Sequence, residues 1–260
     1  MLLSMQSLSV SCYWYDRPLS GRQFLDQVKL FLENIREAFP GLSVLKVVRD
    51  PKKSTGVVKQ DFSNFDHEVV ASLPKDWAYI NENPEDKEFS DSCHPAISFR
   101  TAFVLGSTGE NAELSVQVSI GSNGRNADNA IIHITPEFES DDVARKLLDI
   151  AVSFWKPHHA TVTRSEIDNL LRQPIGDVRI GWLTYFSDAG VLNHFPSDMR
   201  AEKFHSGVLV QMITGPISAA DKDGVDSLRE AIKRLQPTGI LMNPKKVQLK
   251  RASSDVSHKP

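Results

Sequence analysis

Two apolar runs constrain this chain most: Ile180-Gly181-Trp182-Leu183-Thr184-Tyr185-Phe186-Ser187 and Gly207-Val208-Leu209-Val210-Gln211-Met212-Ile213-Thr214. Both are short and rich in aromatic and branched residues, so they read as two strands of one sheet. Along the first, Trp182, Thr184 and Phe186 share one side, and Gly181, Leu183, Tyr185 and Ser187 share the other. Apolar groups on both sides call for packing on both sides, which places these aromatics in the core. A base-stacking platform would carry interleaved basic residues, and Arg179 alone does not supply them. Neither run holds a group suited to catalysis, which points away from an enzyme.

The same patterning organises the rest of the chain. From Ser7 to Tyr15, Leu8, Val10, Cys12 and Trp14 alternate with Ser7, Ser9, Ser11 and Tyr13, predicting a half-buried strand with its small polar residues outward. Ser20 and Gln23 form a capping box. It opens a helix whose apolar face is Phe24, Leu25, Val28, Phe31, Leu32, Ile35 and Phe39, stopped by Pro40-Gly41. Leu42 to Val48 reads as a strand. From Asp50 to Pro95 prolines and glycines break the pattern and predict a long irregular segment. Ala96 to Leu105, Glu113 to Ile120 and Asn129 to Thr135 read as strands, the first two joined as a hairpin. The glycine clusters at 106–109 and 121–124 lie between strands and supply turns rather than a phosphate cradle.

Ser140 with Asp141 and Asp142 opens a second helix, stopped by Pro157. Thr163 with Glu166 reads as the cap of a short helix through Leu171. Ser218 with Asp221 reads as the cap of a helix burying Val225, Leu228, Ile232 and Leu235 and ending at Pro237. Residues 244–260 are polar, lysine-rich and aperiodic, which predicts a disordered basic tail after one domain spanning 1–243. The expected class is α+β: a largely antiparallel sheet with packed helices.

Composition limits the function classes. With 260 residues, net charge -3 and interspersed signs, the chain has no global field for nucleic acid or an anionic membrane. Its two cysteines, Cys12 and Cys93, suit a reducing compartment. No stretch approaches the ~20 apolar residues of a membrane span, and Met1 to Gln6 lacks a signal-peptide pattern. A cytoplasmic protein without direct nucleic-acid or membrane partners is the expectation.

No catalytic, cofactor-binding or metal residues are expected. A Gly-x-Ser-x-Gly elbow is absent. The histidines do not fall at ligand spacing, and His158 and His159 read as charge partners for the end of the second helix. Cys93 and His94 are chain neighbours, which point to opposite sides of an extended strand. A scattered site drawing on Asp91, His94 and Arg100 is the enzymatic alternative, and a nucleic-acid-binding accessory protein is the other. The surface feature with a functional reading is the acidic stretch 76–91. There Trp77 and Tyr79 would anchor a basic partner within a field set by Glu82, Glu85, Asp86, Glu88 and Asp91.

The ordered set Ile180-Gly181-Trp182-Leu183-Thr184-Tyr185-Phe186, then Ser206-Gly207-Val208-Leu209-Val210, then the helix through Ile232 and the close Gly239-Ile240-Leu241 resembles the immunity protein 52 family. The resemblance spans Ser140 to Met242, with a looser fit upstream. It implies a non-enzymatic antitoxin that neutralises a cognate toxin, commonly a restriction-endonuclease-like nuclease effector delivered by type VI secretion between competing bacteria. It carries over no catalytic residue, and its Gly-Trp strand looks structural.

Overall fold

The computed structural model describes residues 7–15, 17, 19–50, 54–73, 99–107, 112–120, 127–173, 177–195 and 199–242. The chain divides into two compact units, Met1–Pro157 and His158–Pro260. Both are α+β with antiparallel strands, in line with the class read from the sequence. The tail expected over 244–260 lies outside the described residues.

In the first unit, β1 (Leu8–Trp14), β2 (Val44–Asp50), β3 (Ser54–Val58), β4 (Phe99–Gly106), β5 (Ala112–Ile120) and β6 (Asp128–Ile134) lie in the order β3-β2-β4-β5-β6-β1. Every neighbouring pair is antiparallel. One face, carrying Val10, Cys12, Phe103, Val116, Val118 and Ile132, is fully buried. Against it pack α1 (Gly21–Ala38), α2 (Phe65–Val70) and α3 (Asp141–Trp155). Burying each large apolar side chain contributes roughly 1.5–3 kcal/mol, so this face dominates the unit's stability.

The α1 capping box forms as read: the Ser20 hydroxyl accepts from the Gln23 amide at 3.2 Å, and the Gln23 side chain accepts from the Ser20 amide at 2.9 Å. Ser140 caps α3, accepting from the Val143 amide. The helix ends in left-handed Lys156, φ 44°. Its last carbonyls take Arg17, which donates to Trp155 O and, at 2.6 Å, to Lys156 O. Trp155 stacks on Trp14 with centroids 4.8 Å apart, and Phe24 stacks on Phe99 at 4.9 Å.

Two expectations for this unit need correction. Ser7, Ser9 and Ser11 are buried rather than solvent-facing. Ser9 and Ser11 stand opposite His133 and Ile131 on β6. The irregular segment expected from Asp50 holds β3 and α2, elements of five and six residues that are too short to show a period. Gly56 interrupts the alternation of β3 because the Glu68 carboxylate fills the place of its missing side chain. A β-carbon there would stand 1.8 Å from Glu68 Oε2, which receives Arg49 at 2.5 Å. Asn64 then spans the outer edge of β3: its amide donates to Val57 O at 2.9 Å, and its oxygen accepts from the Lys59 amide at 2.8 Å.

In the second unit, β7 (His159–Arg164), β8 (Leu183–Phe186), β9 (Arg200–Phe204) and β10 (Gly207–Gln211) lie in the order β7-β8-β10-β9, all antiparallel. The helices are α4 (Ser165–Leu171) and α5 (Lys222–Leu235). The two runs that opened the sequence reading pair directly, Val208 with Phe186 and Leu209 with Tyr185. The first is a strand only over Leu183–Phe186, and Trp182 is held by bonds to Val162 O and from the Met212 amide. Residues 180–186 are all buried, as core residues should be. A β-carbon on Gly181 would meet Val162 O at 2.3 Å, which accounts for the glycine before the tryptophan.

Here too the structure revises the sequence reading. Residues 159–164 are a strand, so Thr163 caps nothing; its hydroxyl donates to Arg164 O and Asp168. His159 begins that strand, buried, instead of serving the end of α3, because Lys156 and Pro157 stop the helix first. Asp221, not Ser218, caps α5, accepting from the Gly224 amide at 2.9 Å. β9 and the 3-10 turn Ala189–His194 had no period to read.

Gly207 tests this packing. Its added β-carbon would lie 2.0 Å from Phe186 O, whereas nothing stands within 4 Å of one on Gly215. Gly207→Ala should lower stability by about 1–3 kcal/mol in urea unfolding, with Gly215→Ala within about 0.5 kcal/mol of wild type.

Candidate partner-binding surface

The residues singled out as a partner surface, Trp77, Tyr79, Glu82, Glu85, Asp86, Glu88 and Asp91, lie outside the described residues, as do Cys93 and His94. Arg100, invoked for a scattered site, is exposed on β4 and donates to Gln117 Oε1 at 2.9 Å. Among the described residues no group of three His, Cys, Asp or Glu could hold a metal ion. No described helix is long and apolar enough to cross a membrane.

The described surface does hold a broad groove, between α1 and α3. The helices run antiparallel: Lys146, early in α3, donates to Ala38 O at the end of α1 at 2.6 Å, while Phe154, late in α3, meets Phe31 at 5.3 Å. Between these contacts lies a recess of 540 Å³ lined by Asn34, Glu37, Ala38, Asp149, Ile150, Ser153 and Phe154. Small residues make it: Ala38 and Ser153 leave the helix ridges low where larger side chains would interdigitate. Glu37, Asp149 and Ser153 are exposed at its rim, and Ile150 and Phe154 are half-buried in its floor. Leu30, one helical turn from Asn34, is 51% exposed and extends the apolar strip.

The charges of α1 sort by face. Arg22, Lys29 and Arg36 recur every seven residues and are used within the unit. Arg22 bonds Asp66, Lys29 and Arg36 lie over the Phe62 ring at 5.8 and 5.2 Å, and Arg36 donates to Gln60 O. The next stripe is Asp26, Glu33 and Glu37, on the side toward Leu30 and the groove. Among the described residues none of these three carboxylates forms an ion pair. In the sequence Glu33 and Glu37 stand at a like-charge i, i+4 spacing, offset by Lys29 four residues before Glu33 and Arg36 three after it.

The second unit has a smaller ionic cluster. Asp168 of α4 takes Arg179 on one carboxylate oxygen at 2.6 Å and the Thr163 hydroxyl on the other at 3.3 Å. Burial pushes its pKa up, while Arg179 and the two hydrogen bonds oppose the rise. Gln173 accepts from the Ile180 amide at 2.8 Å and donates to Val178 O, holding the chain that leads into β8. The adjoining recess is 220 Å³. Both oxygens of Asp168 and both ends of the Gln173 amide are engaged, so the cluster does the work of a latch. In the core of the first unit Cys12 is fully buried, which pushes its thiol pKa far up and leaves it unreactive.

The architecture is that of an α+β protein with a paired-helix surface. No family model matches the sequence, and no curated protein matches it. Among solved structures the chain is similar to the Pseudomonas aeruginosa T6SS protein PA0821, at 12% identity and a TM-score of 0.51, covering 88% of this chain and 73% of that one. At that identity the likeness is one of fold.

Burial first, then the charges of His158 and Arg179, push the pKa of His159 down to about 3 from an ordinary 6.5. Desolvation also lowers that of His133. The unfolded imidazoles take up protons below about pH 6.5 while the folded ones resist. Stability is therefore full above that pH and falls as pH drops toward 3, by at most about 1.4 kcal/mol per unit for His159. Urea unfolding at about pH 7 and pH 5 should show the loss, and His159→Asn should leave a smaller one.

Proposed function

We propose that this chain is a non-enzymatic immunity protein that binds and neutralises a cognate toxin, a restriction-endonuclease-like nuclease delivered by type VI secretion. The observation that carries the reading is the fold likeness to a T6SS protein over most of both chains. The ordered set of Gly-Trp segment, Gly-led strand and terminal helix, which resembles the immunity protein 52 pattern, is what suggests the finer assignment. Inhibition by binding calls for a complementary surface rather than reactive groups, and the α1–α3 groove offers one. A nuclease acts in the cytoplasm, so protection belongs there. The immunity module comprises residues 1–243, followed by a basic tail, and the acidic stretch 76–91 adds to the surface offered to the toxin.

Co-expression tests this. The product of the adjacent open reading frame should arrest growth alone, and this chain should restore growth and co-purify with it. A folded chain that neither protects nor binds would sink the reading. Retained protection after reversing Glu85, Asp86 and Glu88 to Lys would remove the acidic stretch from the interface while leaving the immunity function standing.

A further inference from the structure

We propose that β9 is the edge through which two copies of this chain associate: it pairs antiparallel with β9 of a second copy, in the register that sets Ala201 opposite Ala201. The inference goes beyond the immunity reading and does not depend on it.

Among the described residues β9 has a neighbouring strand, β10, on one side only. Which of its backbone groups face the other side follows from the bonding of β10. The Met212 amide donates to Trp182 O, so the main chain at Met212 turns toward β8. By the alternation of an antiparallel ladder, Val210 and Val208 turn the same way. Gln211, Leu209 and Gly207 therefore bond across to their register partners on β9, Arg200, Glu202 and Phe204. The N–H and C=O groups of Ala201 and Lys203 are left pointing outward, with no partner among the described residues. Arg200, Glu202 and Lys203 are exposed, and β9 carries neither the proline nor the bulge that often guards such an edge.

The side chains decide what can occupy that edge. Arg200 and Glu202 lie on the same face of β9, and among the described residues neither forms an ion pair. With Ala201 opposite Ala201, the two alanines exchange both N–H···O bonds. Arg200 of each copy then stands directly across from Glu202 of the other, on either side of the two-fold axis. Lys203 falls opposite Met199. Sliding the pair so that it centres on Glu202 would set Glu202 against Glu202, and centring it on Lys203 would set Lys203 against Lys203. Like charges directly opposite one another oppose pairing. The charges of β9 thus select the Ala201 register and reject its neighbours. A pattern complementary to itself in one register is met by a second copy of the same strand.

Sedimentation equilibrium of the full chain over a range of concentrations tests this. Wild type should show a concentration-dependent dimer. Glu202→Arg sets arginine against arginine and should raise the dissociation constant by about tenfold or more. Arg200→Glu/Glu202→Arg exchanges the two charges, keeps each facing pair opposite in sign, and should return the constant close to wild type. Ala201→Pro removes an outward N–H, breaks no bond within the sheet, and should leave a folded monomer. A wild-type chain that stays monomeric at the highest concentration overturns the proposal. So does a dimer that neither Glu202→Arg nor Ala201→Pro weakens in folded chains, or one that Glu202→Arg weakens and the charge exchange does not restore. A monomer whose complex with the product of the adjacent open reading frame is lost in Ala201→Pro would make a partner's strand the occupant, and that too rules out the second copy.

Discussion

The stack of Trp14 on Trp155, nearly parallel at 8°, fixes the helical layer of the first unit to its sheet. Trp14 ends β1 and Trp155 ends α3, so one contact sets where that helix stops across the strands. Arg17 locks the same point by bonding the two carbonyls beyond the ring. α1 is then placed through Phe31, which meets both Phe154 and Trp155. Aromatic pairs of this kind add ~0.5–1.5 kcal/mol beyond burial. More important here, they set the spacing of α1 and α3, and the groove is the space that spacing leaves.

The sequence disclosed the elements that state their own boundaries. Ser20 with Gln23, and Ser140 before two aspartates, are chemical signals read within a few residues, and both caps form. The alternations of β5 and β6 hold because each of these strands buries one face and leaves the other half-exposed. Reading failed where a residue's role is decided by a partner in another element. Gly56 looks like a breaker until Glu68 is seen filling its side-chain space. Thr163 has the spacing of a cap, yet it is spent on Asp168 after the strand it terminates.

The surface was harder to read than the core. Acidic composition drew attention to 76–91, where charge is dense in sequence. The stripe on α1 is sparser, three carboxylates over twelve residues by number, and becomes a surface only once the helix sorts Arg22, Lys29 and Arg36 away from it. Charge density along a chain and charge density in space are separate quantities, and only the second can be felt by a partner.

Asn64 changes what the outer edge of β3 can offer to another strand. By occupying Val57 O and the Lys59 amide, it withholds two backbone groups at the C-terminal end of β3. An incoming strand that zipped onto free amides and carbonyls would be accepted largely regardless of its side chains. With two of those groups taken at its C-terminal end, β3 offers such a strand a shorter ladder to pair with.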